Sequence, residues 1–559
     1  MPTLTTEPGG LSSCSMRTAA IRPAVMVGGA VFLFGLVFAI YTQHVWEDYW
    51  ITFRCGRNLA TGHGLVFTPG ERLHSFTSPL GVLLPAGFSW LTGNQSDELA
   101  LWLFRLTSIA ALAAGMVLLF LLLRKLQQHR LAVWLTLALL GLDAKLVDFS
   151  INGMETGLLF FFLALAIHGL VVTGPRQMLR IGAGWAGLMW TRPDSCVYIA
   201  ALGIGALLFS PNRTAGQSRK GLWKVLLAAG LVCTVLYLPW FVWAWSYYGS
   251  PVPYPVVAKG TNLPPFSIGA QLDNLLVLPV TLLTDVRWVF APAYSWMGGW
   301  PGSIFPLYTA LGIVAALAWP FPPLRPQTRL FSLAFFLGNF FLTSVLISYP
   351  WYFPTVAVFG YLTIGLLLDQ ALGLAGRARD WCRRLRGTLC WLACLLVAGQ
   401  LFITLCVARQ MRVQQQLIEN GQRRQIGLWL RVHARTPHDT VMLEPLGYIG
   451  YFSGLKMLDN PGLASKEMVE ARKRLGPYGQ NQVFLELKPD WLVLRPLEIE
   501  KEVLVQPGPL QENYDQVQVF DASEKIRNLG WLPGRPYLEV DQTFLIFHRK
   551  SDASSKPPS

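Results

Sequence analysis

The chain has 559 residues, of which 52% are hydrophobic and only 14% are charged, and its formal net charge is +14. Soluble domains usually carry about 25% charged residues, so this composition excludes a chain that faces water along most of its length. The basic excess does not indicate nucleic-acid binding, because the basic residues stand in short segments beside apolar runs rather than in one basic patch.

Long apolar runs recur along the first 408 residues. Nine of them approach or exceed the roughly 20 residues that cross a bilayer as a helix. Two shorter runs, 181–191 and 195–209, flank a polar turn at 191–194 and are interpreted as a pair of short spans. The sequence therefore predicts a mainly α-helical membrane bundle of about eleven spans. The nine longer runs are 24–43, 99–123, 131–147, 154–173, 225–247, 303–321, 330–348, 351–372 and 387–408.

Charge placement predicts the orientation of these spans. If the N-terminus is cytoplasmic, the six segments left on that side hold 18 Lys and Arg residues but two acids, which is the positive-inside bias. The first apolar run lacks a small-residue cleavage site, so we expect a retained span rather than a signal peptide. An odd number of spans places residues 409–559 outside, in the periplasm or its equivalent. The six segments are 1–23, 124–130, 174–180, 210–224, 322–329 and 373–386.

Two external loops and one external domain follow from this topology. Residues 44–98 form the first loop, and the apolar stretch 79–93 within it is broken by proline and glycine, so it lies at the outer interface. Residues 248–302 form a second loop rich in proline and aromatic residues. We divide the chain into a membrane domain, 1–408, and a soluble α/β domain, 409–559.

Local patterns predict the elements of the C-terminal domain. A polar helix is expected at about 409–435, and a turn with a short helix at 447–452. Strands are expected at 440–443, 492–494 and 543–547.

Two adjacent carboxylates, Glu47 and Asp48, stand at the outer end of the first span. Such groups beside apolar surface are costly unless they are solvated, paired or used. One of them facing a cavity could act as a general base on an acceptor hydroxyl. The two residues by themselves favour the alternative, an interfacial pair that simply ends the span.

The residues around this pair extend the pattern. Residues 47–59 read EDYWITFRCGRNL, and residues 62–72 read GHGLVFTPGER. This stretch resembles the first-loop signature of a bacterial family of GT-C-fold glycosyltransferases, to which the mycobacterial arabinofuranosyltransferases that use decaprenyl-phosphoryl-arabinose belong.

Shorter motifs of the same family recur in order along the chain. NGMET at 152–156, TRPD at 191–194 and PVPYPVVAK at 251–259 each resemble one of them, as does GYIGYFSGLKMLD at 447–459. Residues 349–354, YPWYFP, stand where the family has an Arg-Tyr-x-x-Pro stretch.

The resemblance implies a reaction and roles for individual residues. The donor would be a polyprenyl-phosphate sugar, and Asp48, with Glu47 beside it, would take the proton of the acceptor hydroxyl. The leaving group is anionic, so cations must stabilise it, and the candidates are Arg54, Arg192 and Lys259. Arg54 could instead pair with the carboxylates at 47 and 48, and Arg192 could lock its turn against Asp194.

Three further residues are candidates for the site. Glu155 and Asp148 stand near the outer ends of neighbouring spans, where either could be a second acid or a helix-start carboxylate favoured by the helix dipole. His74 could contact substrate or simply hydrogen-bond within its loop. No metal-ligand spacing is visible in the sequence, so we expect a reaction that needs neither a metal nor a cofactor.

The sequence thus predicts inverting transfer of a sugar to a cell-envelope glycan or glycolipid, on the outer face of the bacterial inner membrane. The expected partners are the lipid bilayer, the polyprenyl-phosphate sugar and the glycan acceptor, with no nucleic acid. Two alternatives stay open. One is a transporter of lipid-linked sugars, and the other is a non-catalytic envelope-assembly protein.

Overall fold

The computed structural model describes residues 12–212, 216–260, 267–344, 349–375 and 380–550. Helices dominate the first 433 residues, as predicted, and a five-stranded sheet follows them. The helices of the first half are α1 (Ser12–Thr42), α2 (Glu47–Ala60), α3 (Pro79–Leu91), α4 (Asp97–Leu126), α5 (Arg130–Gly141), α6 (Ala144–Ile151), α7 (Thr156–Val171), α8 (Gln177–Thr191), α9 (Cys196–Phe209) and α10 (Arg219–Tyr248).

The remaining helices of the bundle are α11 (Tyr254–Gly260), α12 (Ile268–Thr284), α13 (Ile304–Leu317), α14 (Pro326–Ser344), α15 (Phe353–Ala375) and α16 (Asp380–Gln414). A π-helical segment, Gln415–Arg423, joins α16 to α17 (Arg424–His433) without a break. The predicted boundary at residue 409 therefore falls inside a continuous helix, and the polar helix predicted at 409–435 is its last part.

Five helices in the described ranges are long and apolar enough to cross a membrane. A sixth span results if α6 and α7, which meet at 118°, form one broken span. The other apolar helices, such as α5 and α13, are shorter. The number of eleven spans therefore stays a prediction.

The bundle core forms where α4, α7, α8 and α10 pack side by side. Leu119, Leu163 and Ile167 are fully buried there. Small residues allow the close approach that apolar helices need in a membrane, where packing rather than water exclusion holds them together. At Gly157, for example, a Cβ atom would lie 2.2 Å from the Ser108 carbonyl oxygen of the neighbouring helix.

The loops predicted to be external contain helices. The stretch 79–93 forms α3, which Ser78 caps by accepting a hydrogen bond from the Gly81 amide at 2.8 Å. The segment 248–302 contains α11 and α12, which differs from the predicted loop. Asp273 and Pro279 interrupt the apolar pattern of α12, so its sequence does not predict a membrane-spanning helix.

The C-terminal part, residues 409–550, is built on a mixed sheet with strand order β2-β1-β3-β5-β4. The strands predicted at 440–443, 492–494 and 543–547 are confirmed as β1, β3 and β5, whereas β2 and β4 were not predicted. The strands are β1 (Thr440–Leu443), β2 (Lys456–Asp459), β3 (Trp491–Leu494), β4 (Tyr514–Asp521) and β5 (Thr543–Arg549). The helices among them are α18 (Leu446–Ser453), α19 (Lys466–Leu475), α20 (Val483–Leu487), α21 (Pro496–Glu500), α22 (Pro507–Asn513), α23 (Ser523–Arg527) and α24 (Arg535–Glu539).

Candidate active site

Glu47 and Asp48 are the first two residues of helix α2, which a four-residue connection joins to α1. Their position in the first turn suits the positive end of the helix dipole. Although they are neighbours in the sequence, their side chains have different surroundings. Asp48 borders a cavity, whereas Glu47 is held by the C-terminal part.

The Asp48 cavity lies between α2, the segment 75–78, helix α11 and the residues just before α15. Its mouth is open to solvent, and the space inside it that water could occupy is about 60 Å³. Arg192, Glu155 and Lys259, which the sequence analysis selected, share this cavity with Asp48. The lining is completed by Ile51, Thr52, Ser75, Phe76, Thr77, Ser78, Met154, Pro255, Trp351, Tyr352 and Leu463.

The Asp48 carboxylate forms no hydrogen bond or ion pair with any part of the chain that the structure describes. Burial raises the pKa of Asp48, while the positive charges of Lys259 and Arg192 act in the opposite direction. A half-buried, unpaired carboxylate that opens to a cavity is available to a ligand rather than committed to the fold.

Arg192 is held in place by acids. Its Nη1 lies 3.2 Å from Glu155 Oε1 and its Nε lies 3.1 Å from Asp194 Oδ1. The guanidinium also lies over the Tyr352 ring, 4.6 Å from its centre. The predicted lock between Arg192 and Asp194 is therefore present, and the locked side chain still lines the cavity.

Lys259 lies near the end of α11, and its ammonium has aromatic neighbours. Its Nζ is 4.8 Å from the centre of the Tyr349 ring and 5.8 Å from that of Trp351. Burial lowers the pKa of Lys259, and the negative charge of Asp48 counteracts this. In the described ranges the ammonium forms no ion pair, so it is free to meet an anion.

Glu47 attaches α2 to the C-terminal part. Its Oε1 accepts a hydrogen bond from the Gly447 amide at 2.9 Å, and its Oε2 lies 3.1 Å from Arg423 Nη1. Burial raises the pKa of Glu47 to about 8, against the effect of Arg423. The residue does not line the Asp48 cavity.

Arg54, like Glu47, connects helix α2 to the C-terminal part. Its guanidinium donates to the carbonyl oxygens of Gly450 at 2.6 Å, Gly454 at 3.1 Å and Leu455 at 3.0 Å. The pairing with Glu47 or Asp48 considered from the sequence is absent among the described contacts of Arg54, and the side chain does not line the cavity.

Asp148 and His74 also lie outside this cavity. Asp148 accepts from Asn152 Nδ2 at 3.1 Å and lies 2.8 Å from His44 Nδ1, beside a separate small cavity. His74 is stacked on Tyr248, with ring centres 4.5 Å apart, and burial lowers its pKa to about 4. Its carbonyl oxygen accepts from the Tyr254 amide at 2.8 Å, which positions the start of α11.

Sequence reasoning missed several lining residues. Thr52 lies four residues after Asp48 on the same face of α2, a spacing that could have identified it. Thr77 lies three residues after His74, which was the candidate in that segment. Trp351 and Tyr352 lie in the stretch 349–354, where the sequence differs from the family motif, so no role was predicted for them. Leu463 comes from the C-terminal part, and no signal in the sequence linked it to this cavity.

Comparison with known proteins defines the fold first. The chain resembles the archaeal oligosaccharyltransferase AglB from Archaeoglobus fulgidus, in complex with an inhibitory peptide and a dolichol-phosphate, with a TM-score of 0.54 and 12% sequence identity over 95% of this chain and 75% of that one. The helical architecture is therefore the GT-C fold predicted from the sequence.

Sequence relatives define the similarity more narrowly. A terminal β-(1→2)-arabinofuranosyltransferase of Corynebacterium glutamicum is 29% identical over 242 residues, which is 39% of this chain and 33% of that protein. A protein of the same name from Mycobacterium tuberculosis is 26% identical over 318 residues, which is 49% of this chain and 48% of that protein. The predicted resemblance to arabinofuranosyltransferases is confirmed, although the match spans only a third to about half the length of these relatives.

One family model covers the C-terminal part. It is described as a domain of unknown function (DUF8728) and matches residues 409–545. Its start coincides with the predicted domain boundary, although the helix through residue 409 is continuous.

Proposed function

We propose that this protein is a membrane glycosyltransferase that moves a sugar from a polyprenyl-phosphate donor to a cell-envelope glycan or glycolipid. The observation that carries the proposal is the unpaired carboxylate of Asp48 in a cavity that it shares with Arg192 and Lys259. The names of the arabinofuranosyltransferase relatives support a pentofuranose as the sugar, and the dolichol-phosphate bound to AglB supports a lipid-linked donor.

The arrangement of charges fits an inverting displacement. The acceptor oxygen attacks the anomeric carbon of the donor, Asp48 takes the hydroxyl proton, and the new C–O bond forms as the bond to phosphate breaks. The electron pair leaves with the polyprenyl phosphate, whose negative charge Arg192 and Lys259 stabilise. Glu155 and Asp194 serve by fixing the direction of the Arg192 guanidinium.

We further propose that the reaction needs no metal ion, because the two cations supply the positive charge that a phosphate leaving group requires. Removal of divalent ions with EDTA should then leave the rate of transfer unchanged. A rate that falls with EDTA and recovers with Mg²⁺ or Mn²⁺ would contradict this part of the proposal.

The orientation in the membrane completes the proposal. The Asp48 cavity and the C-terminal part face the outside of a bacterial inner membrane that the chain crosses about eleven times. Exposed apolar side chains on α10 and α12, among them Leu231 and Leu276, provide a surface for lipid tails. A donor whose polyprenyl chain stays in the bilayer could present its sugar phosphate to Lys259 near the end of α11.

The test is transfer by the purified full-length protein in lipid nanodiscs, with decaprenyl-phosphoryl-arabinose as donor. The variant Asp48→Asn keeps the shape and removes the base, so transfer should fall by about 10²–10⁴-fold while donor binding survives. Asp515→Asn, an exposed carboxylate of β4, is the matched control and should transfer at the wild-type rate.

Three outcomes separate the proposal from its alternatives. Near-wild-type transfer by a folded Asp48→Asn protein would reject Asp48 as the base. Movement of the donor across the membrane without transfer would indicate a transporter. If the protein neither transfers the sugar nor moves the donor across the membrane, a non-catalytic role in envelope assembly would be favoured.

A further inference from the structure

A second cavity lies in the C-terminal part, and the space inside it that water could occupy is about 450 Å³. None of the residues that line it also lines the Asp48 cavity. Its size falls within the roughly 300–1,000 Å³ that is typical of sites for small molecules. The proposed mechanism uses none of its side chains, so what this cavity binds depends on its own lining.

The second cavity lies where β1, β3 and β4 begin and where β5 ends. Because β1 is parallel to β3, and β5 is antiparallel to both β3 and β4, these four ends meet at one edge of the sheet. The other end of β1 leads to Gly447, whose amide donates to Glu47 at 2.9 Å. The second cavity therefore lies at the end of the sheet opposite to the one that contacts α2.

Two carboxylates of the lining are occupied by the fold. Asp490 accepts a hydrogen bond from the Thr440 amide at 2.9 Å, and its Oδ1 lies 2.9 Å from Arg549 Nη2. Asp439 accepts a hydrogen bond from the Trp491 indole at 3.0 Å. These contacts join the starts of β1 and β3 to each other and to the end of β5. The two acids therefore serve the sheet rather than a ligand.

Two cations of the lining, Arg435 and Lys488, are in the opposite situation. Within the described ranges neither side chain forms a hydrogen bond or an ion pair, and both residues are exposed. Lys488 follows α20 with a φ of 46°, in the left-handed region where glycine is the usual residue after a helix. Other residues are uncommon in that conformation, so the lysine indicates a use for its ammonium.

The rest of the lining suits a sugar ring. Glu512 is exposed, and its carboxylate has no partner among the residues that the structure describes. That carboxylate can accept hydrogen bonds from hydroxyl groups. The buried rings of Phe484 and Tyr514, with centres 6.0 Å apart, add an apolar surface to the lining.

These groups distinguish between classes of ligand. The two unpaired cations favour an anion and disfavour a metal ion. The three carboxylates of the lining would repel a densely charged polyanion such as a nucleic acid. A ring rich in hydroxyl groups that carries one acidic group fits, because the acidic group can meet Arg435 and Lys488 while hydroxyls donate to Glu512.

We propose that the second cavity binds an acidic saccharide, a sugar that carries a carboxylate or a phosphate, and that Arg435 and Lys488 hold the acidic group. The inference goes beyond the proposed function and does not depend on it, because binding can be measured without donor and without transfer. In the proposed glycosyltransferase, this site would hold an acidic stretch of the envelope glycan at the end of the sheet opposite to α2.

The test is isothermal titration calorimetry of the full-length protein in phosphatidylcholine nanodiscs, without donor. Digalacturonate and a maltose phosphate carry the two kinds of acidic group, and uncharged maltose is the reference. The better acidic probe should bind about tenfold or more tightly than maltose, and its identity shows which acidic group the site takes. Inorganic phosphate should bind more weakly than that probe, because it lacks the sugar ring.

Variants locate the binding. Lys488→Gly removes the ammonium at a position whose backbone suits glycine, so the melting temperature should be kept while the affinity for the acidic probe falls about ten- to hundredfold. Arg435→Gln should lose affinity by a similar factor, and Lys488→Arg, which keeps the charge, should lose less. Lys501→Gln, at an exposed lysine of the same part of the chain, is the matched control and should bind as the wild type does. Lys259→Gln should also keep wild-type affinity, which separates this cavity from that of Asp48.

Several results would overturn the inference. Maltose that binds as tightly as the acidic probes would do so, as would wild-type affinity of both Lys488→Gly and Arg435→Gln. Inorganic phosphate that binds as tightly as the acidic disaccharides would make the cavity a site for an adventitious ion only. Binding that is lost in Lys259→Gln would belong to the Asp48 cavity. A protein that binds the acidic probe through Lys488 but transfers no sugar would refute the proposed function and support this site.

Discussion

The ammonium of Lys259 lies over the ring of Tyr349, 4.8 Å from its centre, at the edge of the cavity that holds Asp48. Aromatic neighbours keep an ammonium near a fixed position without neutralising it, because they offer a weakly negative face and no acceptor. The positive charge therefore stays available to a phosphate, and substitutions at Lys259 should reveal this.

Lys259→Gln should raise the KM for the donor about ten- to hundredfold, since a lost charge-assisted hydrogen bond costs roughly 1.5–3 kcal/mol. Lys259→Arg should lose less, because it keeps the charge. Initial rates against donor concentration measure both, with the exposed Lys525→Gln as control. A donor KM that stays at the wild-type value in Lys259→Gln would make this residue an anchor at the membrane surface.

The pH profile of transfer should follow the charges around Asp48. As a base Asp48 must be ionised, so the rate should fall as the pH falls through its pKa, which burial raises above the usual value near 3.9. Lys259→Gln removes a positive charge that favours the ionised form, so its acid limb should move to higher pH. Glu444→Gln removes a negative charge and should move the limb to lower pH.

The measurement is kcat at saturating donor and acceptor from pH 4 to pH 8 (a range that spans roughly the ordinary and the raised carboxyl pKa values). Shifts of opposite sign in the two variants would support Asp48 as the titrating group. An acid limb that neither substitution moves would assign the limb to another residue.

Arg54→Met should destabilise the protein without changing donor recognition. It removes the hydrogen bonds that Arg54 donates to carbonyl oxygens of the C-terminal part, and a buried oxygen left without a donor, as at Leu455, costs roughly 1–3 kcal/mol. The melting temperature should fall, while the donor KM of the folded protein stays within twofold. Arg527→Met, at an exposed position, should change neither. If Arg54→Met instead raises the donor KM and leaves the melting temperature unchanged, Arg54 would contact the donor phosphate, as the sequence analysis considered.

Reporter fusions test the orientation. A fusion after residue 386 should report a cytoplasmic location, and a fusion after residue 435 should report an external one, because α16 would cross the membrane between them. Alkaline phosphatase and green fluorescent protein fusions give opposite signals on the two sides. Identical locations for the two sites would refute both the eleven-span topology and the external C-terminal part.

Local patterns predicted much of the fold. Apolar runs predicted the helices of the bundle, and short runs rich in apolar residues predicted three of the five strands. Strand β2 was missed because it is four residues long and opens with Lys456. Strand β4 was missed because its alternation is limited to Val517 and Val519 among polar residues, and it contains no apolar run like those of the predicted strands. Helix α12 was missed because polar residues break its apolar face.

Motif resemblance brought Arg192, Lys259 and Glu155 together with Asp48, and the structure places all four around one cavity. The positions of Glu47 and Arg54 could not be predicted in this way. Their partners lie about 400 residues further along the chain, and nothing in local spacing indicates a contact at that separation. The same holds for Leu463, which reaches the cavity through the folding of the C-terminal part.

Because Gly447 has no side chain, the C-terminal part can pack directly against the backbone of Glu47. Any larger residue would meet the Glu47 backbone and push the C-terminal part away from the helix that carries Asp48. The distance between helix α2 and the C-terminal part is thus set by the absence of one methyl group. A change of one codon would move the C-terminal part relative to Asp48 and leave Arg192 and Lys259, on the other elements of the cavity, unaltered.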